Sequence, residues 1–354
     1  MKILYGLPSE GMGHATRSKV IVDYLLMNGH DVQIVTSDRA YVFMQKHFGV
    51  RVHPIEGFHL AYKKAVVHIG QTVLLTIKNA PKQLLKNFLA YKDLLKKFTP
   101  DIVISDFESF THFFATMHKI PLISIDNMQV INRCKLDIDI PKEEKINYQI
   151  AKQIVKSKVV SADTYLISSF FHANIIKKST VLVPPILRKE IIEAKVTIGR
   201  HIVVYQTSST ASNLISTLQQ LPQEKFIVYG FNKEEKHGNV QLKAFSEKEF
   251  IANLASAKAV LSNGGFSFLS EAVYLKKPIL SVAIQNQFEQ FVNASYVEKM
   301  NFGRSFSTFT SDGIKAFLYE LDIFQDALQS HLQDGNQVLF TTLDSLLKSI
   351  TEKA

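Results

Sequence analysis

The sequence predicts an α/β protein made of two doubly wound domains that face a central cleft. Short apolar segments rich in β-branched residues alternate with helical patterns along the whole chain. A glycine turn separates a strand from a helix near residue 11 and again near residue 264, and two consecutive prolines at 184–185 divide the chain into two such series. Because short, mostly apolar strands are typical of buried parallel sheets, each series predicts one Rossmann-like domain.

Composition agrees with a globular protein of two ordinary domains. The chain has 354 residues, of which 46% are hydrophobic and 21% charged. Cys134 is its single cysteine, so a disulfide framework and a zinc cluster of cysteines are both excluded, as expected in a reducing cytoplasm. No apolar run approaches about 18 residues, so we expect neither a signal peptide nor a transmembrane span.

The first series begins with a strand, a helix and a second strand, which together predict a right-handed βαβ unit. Gly29 and His30 end the helix. The predicted elements are the strand 2–5, the helix 16–28 and the strands 31–36, 50–54, 102–105, 122–125 and 164–168. The segment 181–188 contains both prolines, which remove backbone donors and stiffen the chain, and is the expected hinge between domains.

The second series repeats the alternation and begins at Arg200. Its predicted strands are 201–206, 225–229, 240–242, 259–261 and 278–282, and its predicted helices are 212–220, 246–257, 266–275 and 288–300. Residues after about 312 are helical in pattern. Two doubly wound domains joined by a linker leave one deep cleft, where sites for small molecules commonly lie.

The first glycine turn carries a histidine to the carboxyl edge of the predicted sheet. Gly11 and Gly13 precede His14, and a helix starting there offers free N–H groups and the positive end of its dipole. A neutral imidazole at this edge can accept the proton of a hydroxyl group, although a capping or phosphate-facing histidine is an alternative. Thr16 replaces the last glycine of the dinucleotide fingerprint, which argues against a nicotinamide cofactor.

A second motif lies far down the chain. It reads Gly264-Gly-Phe-Ser-Phe-Leu-Ser-Glu271, followed by Lys277-Pro278 and by Glu289-Gln-Phe-Val-Asn-Ala294. With the N-terminal Gly-x-Gly-His-x-x-Arg, this pattern resembles the GT-B glycosyltransferases, in particular relatives of the peptidoglycan N-acetylglucosaminyltransferase and the family-one and family-28 NDP-sugar transferases. The resemblance spans most of the chain. It implies an acceptor-binding domain over 1–187 and a nucleotide-sugar-binding domain over 188–354, with the final helix returning to the first domain.

The resemblance also implies roles for individual residues. His14 would be the catalytic base, and Asp106, or alternatively Glu108, would be the acid that orients it, although Asp106 as a helix cap is nearly as good an interpretation. Gly11, Gly13, Arg17 and Ser208 are candidates for contacts with acceptor or phosphate. The donor would be held by nine residues. Phe245 and Ser246 would lie near the nucleobase, and Glu271 would bind the ribose. The phosphates would be contacted by Gly264, Gly265, Phe266 and Ser267, and the sugar by Glu289 and Gln290.

Three departures from the family pattern stand out. Asn263 occupies a position where related enzymes carry histidine or arginine, so one positive contact to the diphosphate is missing. The loop 206–210 reads Gln-Thr-Ser-Ser-Thr and lacks the glycines of the lipid-linked branch, with Arg17 or Arg188 as other sources of charge. The chain has no convincing Asp-x-Asp motif before a loop, so we expect no metal, and helix dipoles would replace a divalent ion. No cofactor is expected beyond the nucleotide sugar.

The formal net charge of +9 is unevenly distributed, since the segment 57–98 holds eight lysines and one acid, Asp93. Two solvated surface helices, a basic amphipathic surface on anionic lipid and a platform for an anionic polymer all fit this pattern. No aromatic ladder accompanies the lysines, so nucleic acid is not expected as a partner.

The sequence therefore predicts a cytoplasmic, metal-independent, inverting glycosyltransferase, peripheral to the inner face of the membrane if the lysine-rich segment binds lipid. The donor would be a nucleotide-diphosphate sugar, with UDP favoured by analogy, and the acceptor a hydroxyl of a lipid-linked or cell-envelope glycan. Two alternatives stay open: a sugar-nucleotide epimerase or hydrolase on the same fold, and a nucleotide-sugar-binding protein without catalysis.

Overall fold

A computed structural model describes residues 1–9, 11–56, 62–63, 66–67, 87, 98–206 and 213–352 of the chain. Ser208, the loop around it and most of the lysine-rich segment 57–98 lie outside these residues. A backbone hairpin pairs Tyr62–Lys63 with Val66–Val67.

The first half of the chain forms a seven-stranded parallel sheet with the strand containing Lys2–Gly6 near its centre. In spatial order its strands are Thr180–Val183, Thr164–Ser168, Leu122–Asp126, Ile102–Ser105, Lys2–Gly6, Asp31–Thr36 and Val52–Pro54. Among the described residues of this half, the helices are Met12–Met27, Asp38–Phe48, Ser109–His118, Val130–Arg133 and Lys145–Lys158, with 3-10 turns at Gly49–Arg51 and Lys142–Glu144.

The edge strand Thr180–Val183 corrects the expectation that the hinge begins at Val181. Its residues Val181, Leu182 and Val183 are apolar and pair in parallel with the strand Thr164–Ser168. Pro184 ends the pairing because proline has no N–H to donate. The connection between the two sheets therefore starts at the prolines, three residues later than the sequence suggested.

The second half forms another seven-stranded sheet, parallel except at one edge, where Glu235–His237 runs antiparallel to Val240–Leu242. In spatial order its strands are Glu235–His237, Val240–Leu242, Lys225–Tyr229, His201–Tyr205, Ala259–Ser262, Ile279–Ser281 and Gly303–Ser305. Its helices are Lys189–Ile192, Leu214–Gln219, Glu247–Ser256, Phe266–Tyr274, Phe288–Lys299, Ser311–Tyr319 and Leu321–Ser330.

The last helix, Gln337–Thr351, packs on the first half. Its buried residues Leu339, Leu343 and Leu347 join the apolar cluster that covers one face of the first sheet. At its surface Tyr24 stacks on Phe340 with ring centroids 3.8 Å apart. The spacing of the three leucines, four residues each, is that of one helix face.

The two halves also meet through aromatic side chains. Phe171 stacks on Tyr296 at 3.6 Å between ring centroids, and Phe170 lies 5.9 Å from Phe266. All four rings belong to an apolar cluster shared by both halves. A small antiparallel pair, Cys134–Lys135 with Asn174–Ile175, borders this contact. The aromatic contacts bring the carboxyl edges of the two sheets face to face.

Candidate active site

The glycine turn of the first half starts the helix Met12–Met27 directly beyond the central strand. Gly11 caps this helix with φ of 83°, a left-handed conformation that favours glycine. His14 lies in the first helical turn, and its side chain is 18% exposed. The imidazole is therefore held against the protein while one side of it remains accessible.

Asp106 reaches His14 because their strands are neighbours in the sheet. The backbone N–H of Asp106 donates to the carbonyl of Gly6, which continues the pairing past the strand Ile102–Ser105. Nδ1 of His14 lies 2.9 Å from Oδ1 of Asp106, whose side chain is 1% exposed. The structure thus brings the expected pair together.

Glu108, the alternative acid, has a different partner. Its carboxylate accepts from the backbone N–H groups of Phe110 and Thr111, each at 2.7 Å, and so caps the helix Ser109–His118. Burial raises the pKa of this carboxyl. The helix cap at this turn is therefore Glu108, and Asp106 is the acid that contacts His14.

Arg17 was expected to contact the acceptor or a phosphate, but its guanidinium forms an ion pair with the carboxylate of Asp106. Its Nε donates to Oδ2 at 2.9 Å and its Nη2 to Oδ1 at 2.5 Å, and Ser18 Oγ adds a third bond at 2.9 Å. Burial opposes the charge of Asp106, but Arg17 and His14 outweigh it and hold the pKa of that carboxyl well below its usual value. The guanidinium is 4% exposed, so it acts within the site rather than at its surface.

The tautomer of His14 depends on whether Nδ1 donates to Asp106 or accepts from Arg17, because both residues contact that nitrogen. Nη2 of Arg17 lies 2.7 Å from Nδ1, close to the distance of Asp106 from that atom. When Nδ1 carries the proton it donates to Asp106, and Nε2 is then free to accept a proton. When Nδ1 instead accepts from Arg17, Nε2 carries the proton and cannot act as a base.

On the opposite side of the cleft, a second glycine turn starts the helix Phe266–Tyr274. Gly264 has φ of 85°, and a Cβ there would lie 3.0 Å from both the Gln290 carbonyl oxygen and Ser281 Oγ, so only glycine fits. Nδ2 of Asn293 donates to the Gly264 carbonyl at 3.0 Å. A Cβ built on Gly265, by contrast, meets no atom within 4 Å among the described residues. The residues that the structure describes therefore leave space beside the start of this helix.

The starts of the two helices approach each other across the cleft. A Cβ built on Gly13 would lie 2.6 Å from Oγ of Ser267. Phe266, whose side chain is buried, packs on Phe170, so only its backbone is available at the helix start. Asn263 donates to the Val282 carbonyl at 3.2 Å and joins two strand ends. The cleft at this point is lined by helix N-termini, which favour anions.

Glu271 forms an ion pair that motif spacing did not predict. Nε and Nη2 of Arg188 donate to its two carboxylate oxygens, both at 2.7 Å, and Nη1 donates to Glu247. Burial raises the pKa of Glu271 even though Arg188 opposes this. Arg188 follows the double proline, so the connection between the halves fixes the orientation of this carboxylate.

Glu289 and Gln290 begin the helix Phe288–Lys299, below the glycine turn. Gln290 accepts from the backbone N–H of Ile284 at 3.0 Å. Oε1 of Glu289 accepts from Nδ2 of Asn127, a residue of the first half, at 2.6 Å. Asn127 also accepts a hydrogen bond from Nη1 of Arg17. Sequence reasoning did not select Asn127, whose one signal is its position just after a buried strand.

Phe245 and Ser246 lie at the far end of the same edge. Phe245 is 57% exposed, which is unusual for a large aromatic side chain, and Ser246 precedes the helix Glu247–Ser256. Over the described ranges, no group of three or more His, Cys, Asp or Glu side chains is arranged to hold a metal. Within the same part of the chain, no helix is both long and apolar enough to cross a membrane.

Comparison with known proteins decides the family. The sequence model described as "Glycosyl transferase family 1" matches residues 1–322. The chain belongs to glycosyl transferase family 1. It is accordingly an enzyme that transfers a sugar from a nucleotide-diphosphate donor.

Relatives of this family-1 glycosyltransferase are similar over most of its length. A protein of Methanosarcina mazei named "uncharacterized glycosyltransferase" is 24% identical over 342 residues, which cover 87% of this chain and 86% of that protein. A protein of Methanosarcina acetivorans with the same name is 24% identical over 345 residues, with the same coverage of each chain.

Solved structures share the fold of the family-1 glycosyltransferase. The glycotransferase of kitacinnamycin superposes with a TM-score of 0.68 at 16% identity, over 97% of this chain and 98% of that one. UGT2 of Phytolacca americana, complexed with UDP-2fluoro-glucose and pterostilbene, gives 0.67 at 13% identity, over 99% of this chain and all (100%) of that one. The calicheamicin glycosyltransferase CalG4 gives 0.66 at 14% identity, over 98% of each chain. The two-sheet architecture is therefore GT-B.

Proposed function

We propose that this enzyme transfers a sugar from a UDP-sugar to a hydroxyl acceptor with inversion at the anomeric carbon. The observation that carries the proposal is the His14–Asp106 pair, which belongs to the helix start that meets the second glycine turn where Gly13 lies beside Ser267. A base on one side and anion-stabilising N–H groups on the other are the two elements that a single displacement needs.

In the proposed step, Nε2 of His14 takes the proton of the acceptor hydroxyl while its oxygen attacks C1 of the donor sugar. The bond between C1 and the phosphate oxygen breaks, its electron pair stays on the phosphate, and UDP leaves. The protonated imidazole is stabilised by Asp106 and later gives its proton to solvent. Attack from the face opposite the phosphate inverts the configuration at C1.

The donor would lie along the second sheet. Glu271 would bind the ribose hydroxyls, and Phe245 and Ser246 would contact the nucleobase. Glu289 and Gln290 would bind the sugar. The backbone N–H groups of Phe266 and Ser267 would receive the diphosphate at the start of their helix. UDP is favoured because a structural relative, the Phytolacca americana enzyme, is complexed with UDP-2fluoro-glucose.

The direct test compares native enzyme with His14→Ala in single-turnover transfer, with nucleotide-sugar binding measured separately. We expect His14→Ala to lower the transfer rate by about 10²–10⁴, the usual contribution of a general base, and to leave donor affinity nearly unchanged. His47→Ala, an exposed histidine of the helix Asp38–Phe48, is the matched control. Full turnover by His14→Ala would remove the base role, and retained configuration in the product would remove inversion.

Donor binding has its own test. Glu271→Ala should weaken nucleotide affinity by roughly 1.5–3 kcal/mol, the contribution of a hydrogen bond to a charged group. Calorimetry with UDP, GDP and dTDP also shows which base is preferred. Equal affinity of native and variant protein for all three would remove Glu271 from the site. Rates that do not change when a chelator is added support a metal-independent reaction, whereas a loss restored by Mg²⁺ or Mn²⁺ would contradict it.

For the acceptor, we propose a lipid-linked or cell-envelope glycan, supported by the lysine-rich segment 57–98. Each lysine near an anionic bilayer would contribute on the order of 1 kcal/mol, screened by salt. Exchange of Lys82, Lys86, Lys92 and Lys96 to Gln should abolish sedimentation with anionic liposomes and leave nucleotide binding unchanged. Native protein that does not sediment at low ionic strength would favour a soluble acceptor.

A further inference from the structure

A chain of side-chain hydrogen bonds runs from the first half of the enzyme to the second. It passes from His14 to Asp106, from Asp106 to Arg17, from Arg17 to Asn127 and from Asn127 to Glu289. Asn127 follows the strand Leu122–Asp126 and is 4% exposed. The same network therefore contains the proposed base and a proposed ligand of the donor sugar.

The amide of Asn127 has one orientation that suits both of its neighbours. Its oxygen accepts from Arg17, which can only donate, and its nitrogen donates at 2.6 Å to Glu289, whose ionised carboxylate can only accept. A flipped amide would direct its nitrogen at the guanidinium and its oxygen at the carboxylate. Arg17 is itself fixed by its two bonds to Asp106, so the orientation is determined from the catalytic pair outward.

Glu289 lies in the first turn of its helix, and only one of its carboxylate oxygens, Oε1, bonds to Asn127. The hydrogen bond from Asn127 to Oε1 restricts the rotamers of the Glu289 side chain, so the direction of Oε2 is also defined. Hydrogen bonds to charged groups discriminate strongly between hydroxyl positions of a ligand.

We propose that Asn127 is a positioning residue that orients Glu289 toward the donor sugar and joins this carboxylate to the base network. This inference rests on the proposed function of the site, because it assumes that Glu289 binds the sugar. In this arrangement Asn127 would act on the sugar through Glu289, so its exchange should affect binding of a nucleotide sugar without affecting binding of the nucleotide alone.

The sharpest variant is Asn127→Asp, which has the same shape and can still accept from Arg17. It places a carboxylate oxygen against Glu289, and like charges at this distance repel. We expect the affinity gain of UDP-glucose or UDP-N-acetylglucosamine over UDP to fall by about tenfold or more, with UDP affinity unchanged. In a Glu289→Gln background the amide can donate to the new carboxylate, so the same exchange should cost less than about threefold.

The control is Asn132→Asp, because Asn132 is equally buried and also uses both ends of its amide, toward Lys177 and Gln129. It should leave the sugar-dependent gain unchanged. Suppose that the native enzyme gains affinity from the sugar. If Asn127→Asp then retains that gain, or loses it equally in both Glu289 backgrounds, the role of Asn127 is overturned and the proposed function of the site still stands. If the native enzyme binds neither UDP nor the two UDP-sugars, the proposed function falls together with it.

Discussion

Nδ1 of His14 lies 2.9 Å from Oδ1 of Asp106, although 92 positions separate the two residues in the chain. Adjacent strand ends bring them together, and Arg17 holds the same carboxylate from the other side. The carboxylate of Asp106 therefore binds the guanidinium of Arg17 and the imidazole of His14 at the same time. Its removal should affect both the chemistry and the stability of the protein.

Asp106→Asn should lower kcat by about 10²–10⁴, because the imidazolium loses its stabilising charge and the required tautomer is no longer favoured. It should also lower the free energy of unfolding by about 3–5 kcal/mol, since the buried Arg17 loses the carboxylate that balances its charge. Steady-state kinetics and urea denaturation measure the two effects. Asp101→Asn, at the exposed start of the same strand region, is the control and should change neither.

Arg188→Met should destabilise the protein by about 3–5 kcal/mol, because it leaves the buried carboxylate of Glu271 unpaired. Arg51→Met breaks an ion pair with Asp31 that is largely exposed and should cost no more than about 1 kcal/mol. Urea denaturation of both variants makes the comparison. Equal losses in the two variants would show that the Arg188 pair is no more important than a surface pair.

Gly265→Ala should fold with native stability and bind nucleotide about tenfold more weakly or worse. A methyl group at this position meets no described atom within 4 Å, so the protein can accommodate it. The same methyl group would occupy the space proposed for the diphosphate, and a steric overlap there costs about 1.4 kcal/mol or more. Thermal unfolding and calorimetry with UDP give the two values. Native affinity would place the diphosphate elsewhere.

Lys277 should make stability depend on pH in the alkaline range. It is buried with Nζ on the Thr197 carbonyl, and burial lowers its pKa to about 8 from an ordinary value of 10.5. Between these values the unfolded chain binds more protons than the folded one, so the free energy of unfolding should rise with pH, by at most about 3 kcal/mol.

The measurement is a pair of pH series of urea denaturation, with Lys277→Met against the native enzyme. The rise that Lys277 contributes should be absent from Lys277→Met and present in Lys189→Met, which alters an exposed lysine. Parallel curves for the native enzyme and Lys277→Met would contradict a depressed pKa.

Much of the fold could be predicted because buried parallel strands have a simple signature. The strands Asp31–Thr36, Ile102–Ser105, Thr164–Ser168 and Lys225–Tyr229 lie at the residues where apolar, β-branched runs predicted them. The edge strands Glu235–His237 and Gly303–Ser305 carry charged, polar or glycine residues and were not predicted. Their conformation depends on pairing with a neighbouring strand, which local sequence does not reveal.

The site was predictable to the extent that motifs mark strand ends. The glycine turn and the strand before Asp106 indicated that His14 and Asp106 share one sheet edge. The partners of these residues were not predictable in the same way. Arg188 and Glu271 are 83 positions apart, and their contact depends on how the connection between the halves packs on the second sheet. Asn127 and Glu289 are 162 apart, and their contact depends on how the two halves pack.

The packing of the helix Gln337–Thr351 on the first sheet has a consequence for biosynthesis. Leu339, Leu343 and Leu347 complete a core whose other members lie largely in the first 200 residues. A ribosome adds residues at roughly 5–20 per second, and domains ordinarily fold as they emerge. In this protein one apolar face of the first sheet stays incompletely covered until the ribosome has translated the whole second sheet and the helix Gln337–Thr351. We therefore expect nascent chains stalled before residue 337 to bind chaperones through the first half, even though that half was synthesised first.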